Sequence, residues 1–208
     1  MALPQAFQSL VNGSDLQYSG FWYEFDQIHQ LQNWDWFGSG HNPPDTLDSI
    51  DGGQITLGSG SAGSGDWLMG QHSGSCIRLN RLNKTFLFGW TATLSSATLT
   101  GAFMGLAIAQ AGTNVLDGNV TDFFGFYANS PSGPAAGNWI CATGFDSITQ
   151  YTTYSQTTGL ATDTNKHVFA IRLVTDSAVL GAGTMDFFVD GVPQSRYSSG
   201  SAAIFPHD

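Results

Sequence analysis

Lys166–Arg196, KHVFAIRLVTDSAVLGAGTMDFFVDGVPQSR, is the stretch whose reading decides the fold. Val168, Ala170, Arg172 and Val174 alternate with Phe169, Ile171 and Leu173, so successive side chains fall on opposite faces with the period of two that a β-strand imposes. Thr184 to Val189 repeats the alternation. Asp190-Gly191 then separates Phe187-Phe188-Val189 from Val192, and a two-residue Asp-Gly loop suits a type I′ turn, in which both central residues need positive φ. The segment reads as three consecutive strands ending in a tight hairpin. Asp190 and Gly191 are assigned a structural role in its turn, and nothing in the stretch has the pattern of a catalytic motif.

Outward from this segment the same grammar continues. Tyr18–Ile28 reads as the first strand, Gln54–Leu57 as a short one, and from Trp67 the strands come steadily: Trp67–His72, Cys76–Leu82, Thr85–Leu94, Ala102–Gln110, Phe123–Asn129, Asn138–Thr143 and Ser147–Ser155. Gly, Asn, Ser or Pro bounds each of them. Within Thr85–Leu94, Phe86, Phe88, Trp90, Ala92 and Leu94 share one face, which is predicted to be core. No segment has apolar residues at helical spacing, so helix is limited to one or two short turns. Pro43-Pro44 with Asp45, Asp48 and Asp51 marks a surface loop, and GSGSAGSG at 58–65 reads as a loop rather than an interdomain linker. Many short strands with turns between them predict an all-β, two-sheet antiparallel sandwich over residues 17–208 as a single domain. Residues 1–16 have no periodic pattern and are read as an N-terminal arm.

Composition narrows the function classes. The chain has 208 residues, of which 41% are hydrophobic and 13% aromatic, enough for a sizeable core. Its formal charge of −10 repels phosphate backbones and anionic lipid, so neither nucleic acid nor a membrane is expected as a partner. No apolar run approaches the ~20 residues of a membrane span. MALPQAFQSLVNGSDLQ has no basic n-region, apolar core or small-residue cleavage pattern, which predicts synthesis in the cytosol without a secretory leader. Cys76 and Cys141 are accordingly read as free buried thiols rather than a disulfide. The N-glycosylation tripeptides at Asn12, Asn83 and Asn119 carry no meaning without an export signal.

The order of these pieces resembles the concanavalin A-like, laminin G-like jelly roll, in particular its versions in virion structural proteins of tailed bacteriophages. Trp36-Phe37 precedes a Gly- and Asp-rich loop and Gly53-Gln-Ile-Thr-Leu57; Lys84-Thr-Phe-Leu-Phe88, Phe103-Met-Gly-Leu-Ala107, Phe124-Gly-Phe126 and Trp139 follow in the family's order. His167-Val-Phe-Ala-Ile-Arg172 with Met185-Asp-Phe-Phe-Val-Asp-Gly191 is the most specific pair. The resemblance spans about Trp34 to Arg196. One departure stands out: these sandwiches usually add an apolar segment and a closing strand after the Asp-Gly hairpin, where this sequence has Ala203-Ile-Phe-Pro-His-Asp208. An uncovered sheet edge is an association surface.

The fold hosts lectins, glycosidases, adhesion modules and capsid proteins, so chemistry must discriminate among them. Glycosidases need two carboxylates. Glu24 is the single glutamate; with Asp26 it shares a strand face, which a solvent-exposed face explains equally well. His29, His41, His72, His167 and His207 lack zinc-ligand spacing, and neither a G-x-S-x-G nor a P-loop motif is present. A structural Ca²⁺ at Asp45, Asp48 and Asp51, or at Asp117 and Asp122, is the remaining metal option, although the spacing fits no calcium loop and solvated turn aspartates are the favoured reading. No cofactor and no enzymatic activity are expected. Trp34, Trp36, Trp67, Trp139 and Tyr151 are candidates for sugar stacking or for an interface, with core as the alternative. The resemblance implies a capsid decoration or cement protein on the virion surface, binding the major capsid protein and itself as a homotrimer. Leu3, Phe7, Leu10 and Val11 are then the capsid-binding residues of the arm. A lectin-like module or tail-fibre component recognising host-surface glycans is the alternative reading.

Overall fold

The computed structural model describes residues 34–39, 67–72, 79, 81–94, 102–107, 122–128, 137–144 and 155–206, with the backbone alone at 34–39, 67–72 and 155–157. Ten strands are present among them: β1 Trp34–Ser39, β2 Trp67–His72, β3 Thr85–Ala92, β4 Ala102–Ala107, β5 Phe123–Ala128, β6 Asn138–Gly144, β7 Ser155–Ala161, β8 His167–Thr175, β9 Gly183–Val189 and β10 Val192–Ser199. No helix occurs among the described residues. The chain divides into two compact units. In the smaller, β1 and β2 form an antiparallel ribbon with Trp36 opposite Gly70.

The larger unit holds the other eight strands as two antiparallel four-stranded sheets, ordered β10-β9-β8-β3 and β4-β5-β6-β7. The second sheet is a meander. The first is a β8-β9-β10 meander with β3 added beside β8, so the chain passes between sheets after β3 and again after β7. Alternation decides which side chains lie between the layers. Phe169, Ile171 and Leu173 of β8 and Met185, Phe187 and Val189 of β9 are fully buried, as are Phe124 and Phe126 of β5 and Trp139 of β6. Aromatic rings join the layers directly: Phe126 meets Phe169 at 5.0 Å and Phe187 at 5.3 Å between centroids, Trp139 meets Phe169 at 4.6 Å, and Phe88 meets Phe124 at 5.3 Å. These tilted and edge-on pairs are the arrangements that ring quadrupoles favour. The result is an all-β sandwich.

The other face of the second sheet is also buried. Phe123, Tyr127, Ile140 and Ala142 cluster there with Phe103. Gly105 and Gly125 stand opposite one another on β4 and β5, and a Cβ added at either would come within 2.7 Å of the Phe103 ring as well as striking the opposing strand's carbonyl. The glycine pair is the floor on which Phe103 lies.

Two strand expectations change. Leu79, Arg81 and Leu82, placed in a Cys76–Leu82 strand, are not in strand; Asn83 takes a left-handed φ of 52° and donates its N–H to the Asp176 carbonyl, which breaks the extended run just before β3. β7 lies at Ser155–Ala161, whereas the expected strand over 147–155 falls outside the described residues apart from Ser155. The expected strands at 18–28 and 54–57, and the arm at 1–16, also lie outside them.

Past β10 the chain turns inward. Ile204 and Phe205 are buried, Ile204 donates its N–H to the Gly181 carbonyl, and its own carbonyl accepts the Thr143 hydroxyl at 2.9 Å. The apolar pair of the Ala203–Pro206 segment thus packs into the sandwich.

Candidate functional site

In two places on the β8-β9-β10 meander and the loop before it, charged side chains bond to one another. At its end, the hairpin turn puts Asp190 at φ 52° and Gly191 at φ 79°, the left-handed pair that a type I′ loop requires. This aims the Asp190 carboxylate back over the start of β8. One oxygen accepts the Val168 N–H at 2.8 Å, and the other meets Nδ1 of His167 at 2.7 Å. On the opposite side of the ring, Nε2 lies 2.9 Å from Oδ1 of Asp163. Asp163 is itself held by Asn165, whose backbone N–H and side-chain amide both donate to it. The imidazole is buried between the two carboxylates and makes an edge-type pair with Phe169, 6.1 Å between ring centroids.

Burial by itself pulls the His167 pKa down, but hydrogen bonds to Asp190 and Asp163 and their charges outweigh it, and the net direction is upward. Asp163 is held below the usual carboxylate range, first by the Asn165 N–H and then by His167. Because the two carboxylates sit at opposite ring nitrogens, they do not converge on a point where a cation could be held. Among the described residues no group of three or more His, Cys, Asp or Glu forms a metal site.

The second place is the outward face, where register sets Arg172, Asp186 and Arg196 side by side across β8, β9 and β10. Arg172 Nη2 donates to one Asp186 oxygen at 2.7 Å, and Arg196 Nε donates to the other. The Asp186 carboxylate is buried beneath the two guanidinium groups. Burial raises its pKa, yet hydrogen bonds from Arg196 and Arg172 outweigh this and hold it below the ordinary value. Arg196 reaches Asp186 because β10 carries a bulge between Pro193 and Ser195. Proline and a bulge are also devices that keep a free edge strand from pairing with another chain.

Of the expected site residues, Trp139 lies between the sheets, 1% exposed and against Phe169, so its place is core and not a sugar-stacking or interface surface. Trp34 and Trp36 lie on β1 and Trp67 on β2. Tyr151, Leu3, Phe7, Leu10, Val11, Glu24, Asp26 and the loop aspartates Asp45, Asp48, Asp51 and Asp117 lie outside the described residues. Cys141 is a free thiol inside the sandwich; burial pushes it up to about 12, with Ser195 opposing. A thiol so protonated is a packing group and not a nucleophile. Sequence reasoning missed the roles of His167 and Arg196. His167 was visible only as one of five histidines without metal spacing, and its carboxylate partners are assembled by the hairpin turn and by the loop before β8.

Comparison with family models, curated proteins and solved structures gives no match. Function is therefore read from the residues themselves.

Proposed function

We propose that this chain is a noncatalytic structural protein of a tailed-bacteriophage particle: a capsid decoration or cement protein with a concanavalin A-like jelly-roll core, binding the outside of the assembled head. The observation that carries the reading is how the charged side chains on the sandwich are used. Asp163, His167 and Asp190 bond to one another at the hairpin end, and Arg172, Asp186 and Arg196 do so across the outward face. These side chains are thereby turned to bracing the β10-β9-β8-β3 sheet, which suits a structural role on a shell. The two passages of the chain between sheets and the placing of β3 beside β8 are compatible with jelly-roll winding. The ordered series of motifs from Trp36 to Gly191 supports the phage resemblance.

A protein that binds the closed lattice but not its free subunits stabilises the lattice by mass action. Residues 1–16, with Leu3, Phe7, Leu10 and Val11 as anchors, form the arm that orders on binding, and a homotrimer suits three-fold positions on the shell. The test adds purified full chain, and chain lacking residues 1–16, to heads stripped of it. Full occupancy by the intact chain and none by the truncated one, with unchanged thermal unfolding of the sandwich, is expected. Equal occupancy overturns the arm, and no occupancy by either overturns the decoration reading.

A further inference from the structure

Both ring nitrogens of His167 face a carboxylate oxygen at hydrogen-bonding distance, 2.7 Å to Asp190 and 2.9 Å to Asp163. A neutral imidazole has one N–H, so either tautomer donates to one carboxylate and turns a lone pair against the other. With both carboxylates ionised, only the imidazolium satisfies both contacts. We propose that His167 is an imidazolium in the folded protein and works as a pH-operated latch, tying the Asp163–Asn165 segment to the β9–β10 turn while protonated and releasing that segment when neutral. This inference is independent of the phage reading.

Geometry also says which contact opens. Asp190 is tied twice more to β8, since its N–H donates to the Val168 carbonyl and its Oδ1 accepts the Val168 N–H, both at 2.8 Å. Asp163 sits on the connection between β7 and β8, and its remaining bonds are local ones from Asn165. On deprotonation the surviving proton stays at Nδ1 toward Asp190, and the Asp163 side yields. Among the described residues, the charged groups facing the ring are these two aspartates. Lys166, the preceding residue, is exposed, and the β3 partner across from His167 is Ala92, which carries no charge.

The direction with pH follows. The folded protein raises the His167 pKa above its unfolded value of about 6.5, so the latch contributes fully below that pH and is lost as pH rises through the folded value. Asp163 is shifted down, so its part is present above about pH 3.9 and is lost as pH falls through its folded value. Mildly acidic solution is where the latch is closed.

An NMR titration of the full chain tests this, with the His167 ring assigned by the resonance lost in His167→Gln. At pH 6 both ring nitrogens are expected to carry protons, with a midpoint above about 6.5 that moves down in Asp163→Asn and in Asp190→Asn. Exchange of the amides from Asp163 to Lys166, corrected for intrinsic rate, is expected to be less protected at a pH above the measured His167 midpoint than at pH 6, and equally protected at both in His167→Gln. A bare ring nitrogen at pH 6, or a midpoint that neither Asn variant moves, overturns the imidazolium. Protection that does not change with pH in the unmodified chain overturns the latch.

Discussion

Asp190 holds the hairpin in two ways at once. Its φ of 52° makes it half of the turn, and that conformation directs its carboxylate onto the Val168 N–H and the His167 ring. Gly191 completes the turn at φ 79°, and a Cβ built there meets nothing within 4 Å. Any penalty for a side chain at 191 is therefore conformational, not steric crowding. Gly191→Val is expected to destabilise the larger unit by about 1–2 kcal/mol, because a β-branched residue is strained at positive φ. Denaturant unfolding checks it, and an unchanged midpoint would show that the turn does not depend on glycine. The turn was legible in the sequence because Asp-Gly is a local signal, fixed by two residues. The Asp190–His167 bond was not, because it joins positions 23 apart that meet only after β8 and β9 pair.

Among the strands, alternation identified β8, β9 and the face of β3, since a half-buried strand writes its two faces into consecutive letters, whereas the approximate spans of β2, β4, β5 and β6 were read from the Gly, Asn, Ser and Pro residues that bound them. β7 was missed because SQTTGLA has no apolar alternation to read. Register was the less legible property. A two-residue hairpin without irregularity would set Asp186 opposite Ser195; the bulge at Pro193–Ser195 moves the partner to Arg196 and so creates the Arg172–Asp186–Arg196 row. Nothing short of the pairing itself reveals that shift. Close approach between β4 and β5 was likewise invisible, though it is testable. Gly125→Ala forces the new methyl against Phe103 and the β4 backbone, and is expected to cost about 1–3 kcal/mol through overpacking. A thermal melt as stable as that of the parent would mean that β4 and β5 separate without penalty and that Phe103 is not seated on the glycine pair.

At the scale of the larger unit, two four-stranded sheets interlock through rings from β3, β5, β6, β8 and β9, while its prominent charged groups brace strand ends and the outward face. The proposed role on a phage head rests on this braced, ring-packed arrangement. The sandwich was readable from composition and periodicity because burial of alternating aromatics leaves few other architectures. Partner choice was not, because the resemblance to virion proteins rests on short apolar motifs that also serve packing: Trp139, a candidate for sugar contact in the sequence, lies inside the sandwich. The proposed decoration role is tested most directly by quantitative mass spectrometry of purified virions of a phage whose genome is found to carry this sequence, counting copies of the chain against the major capsid protein. The decoration reading predicts hundreds of copies per particle. A handful would move the chain to a tail or fibre, and its absence from the particle would contradict the account.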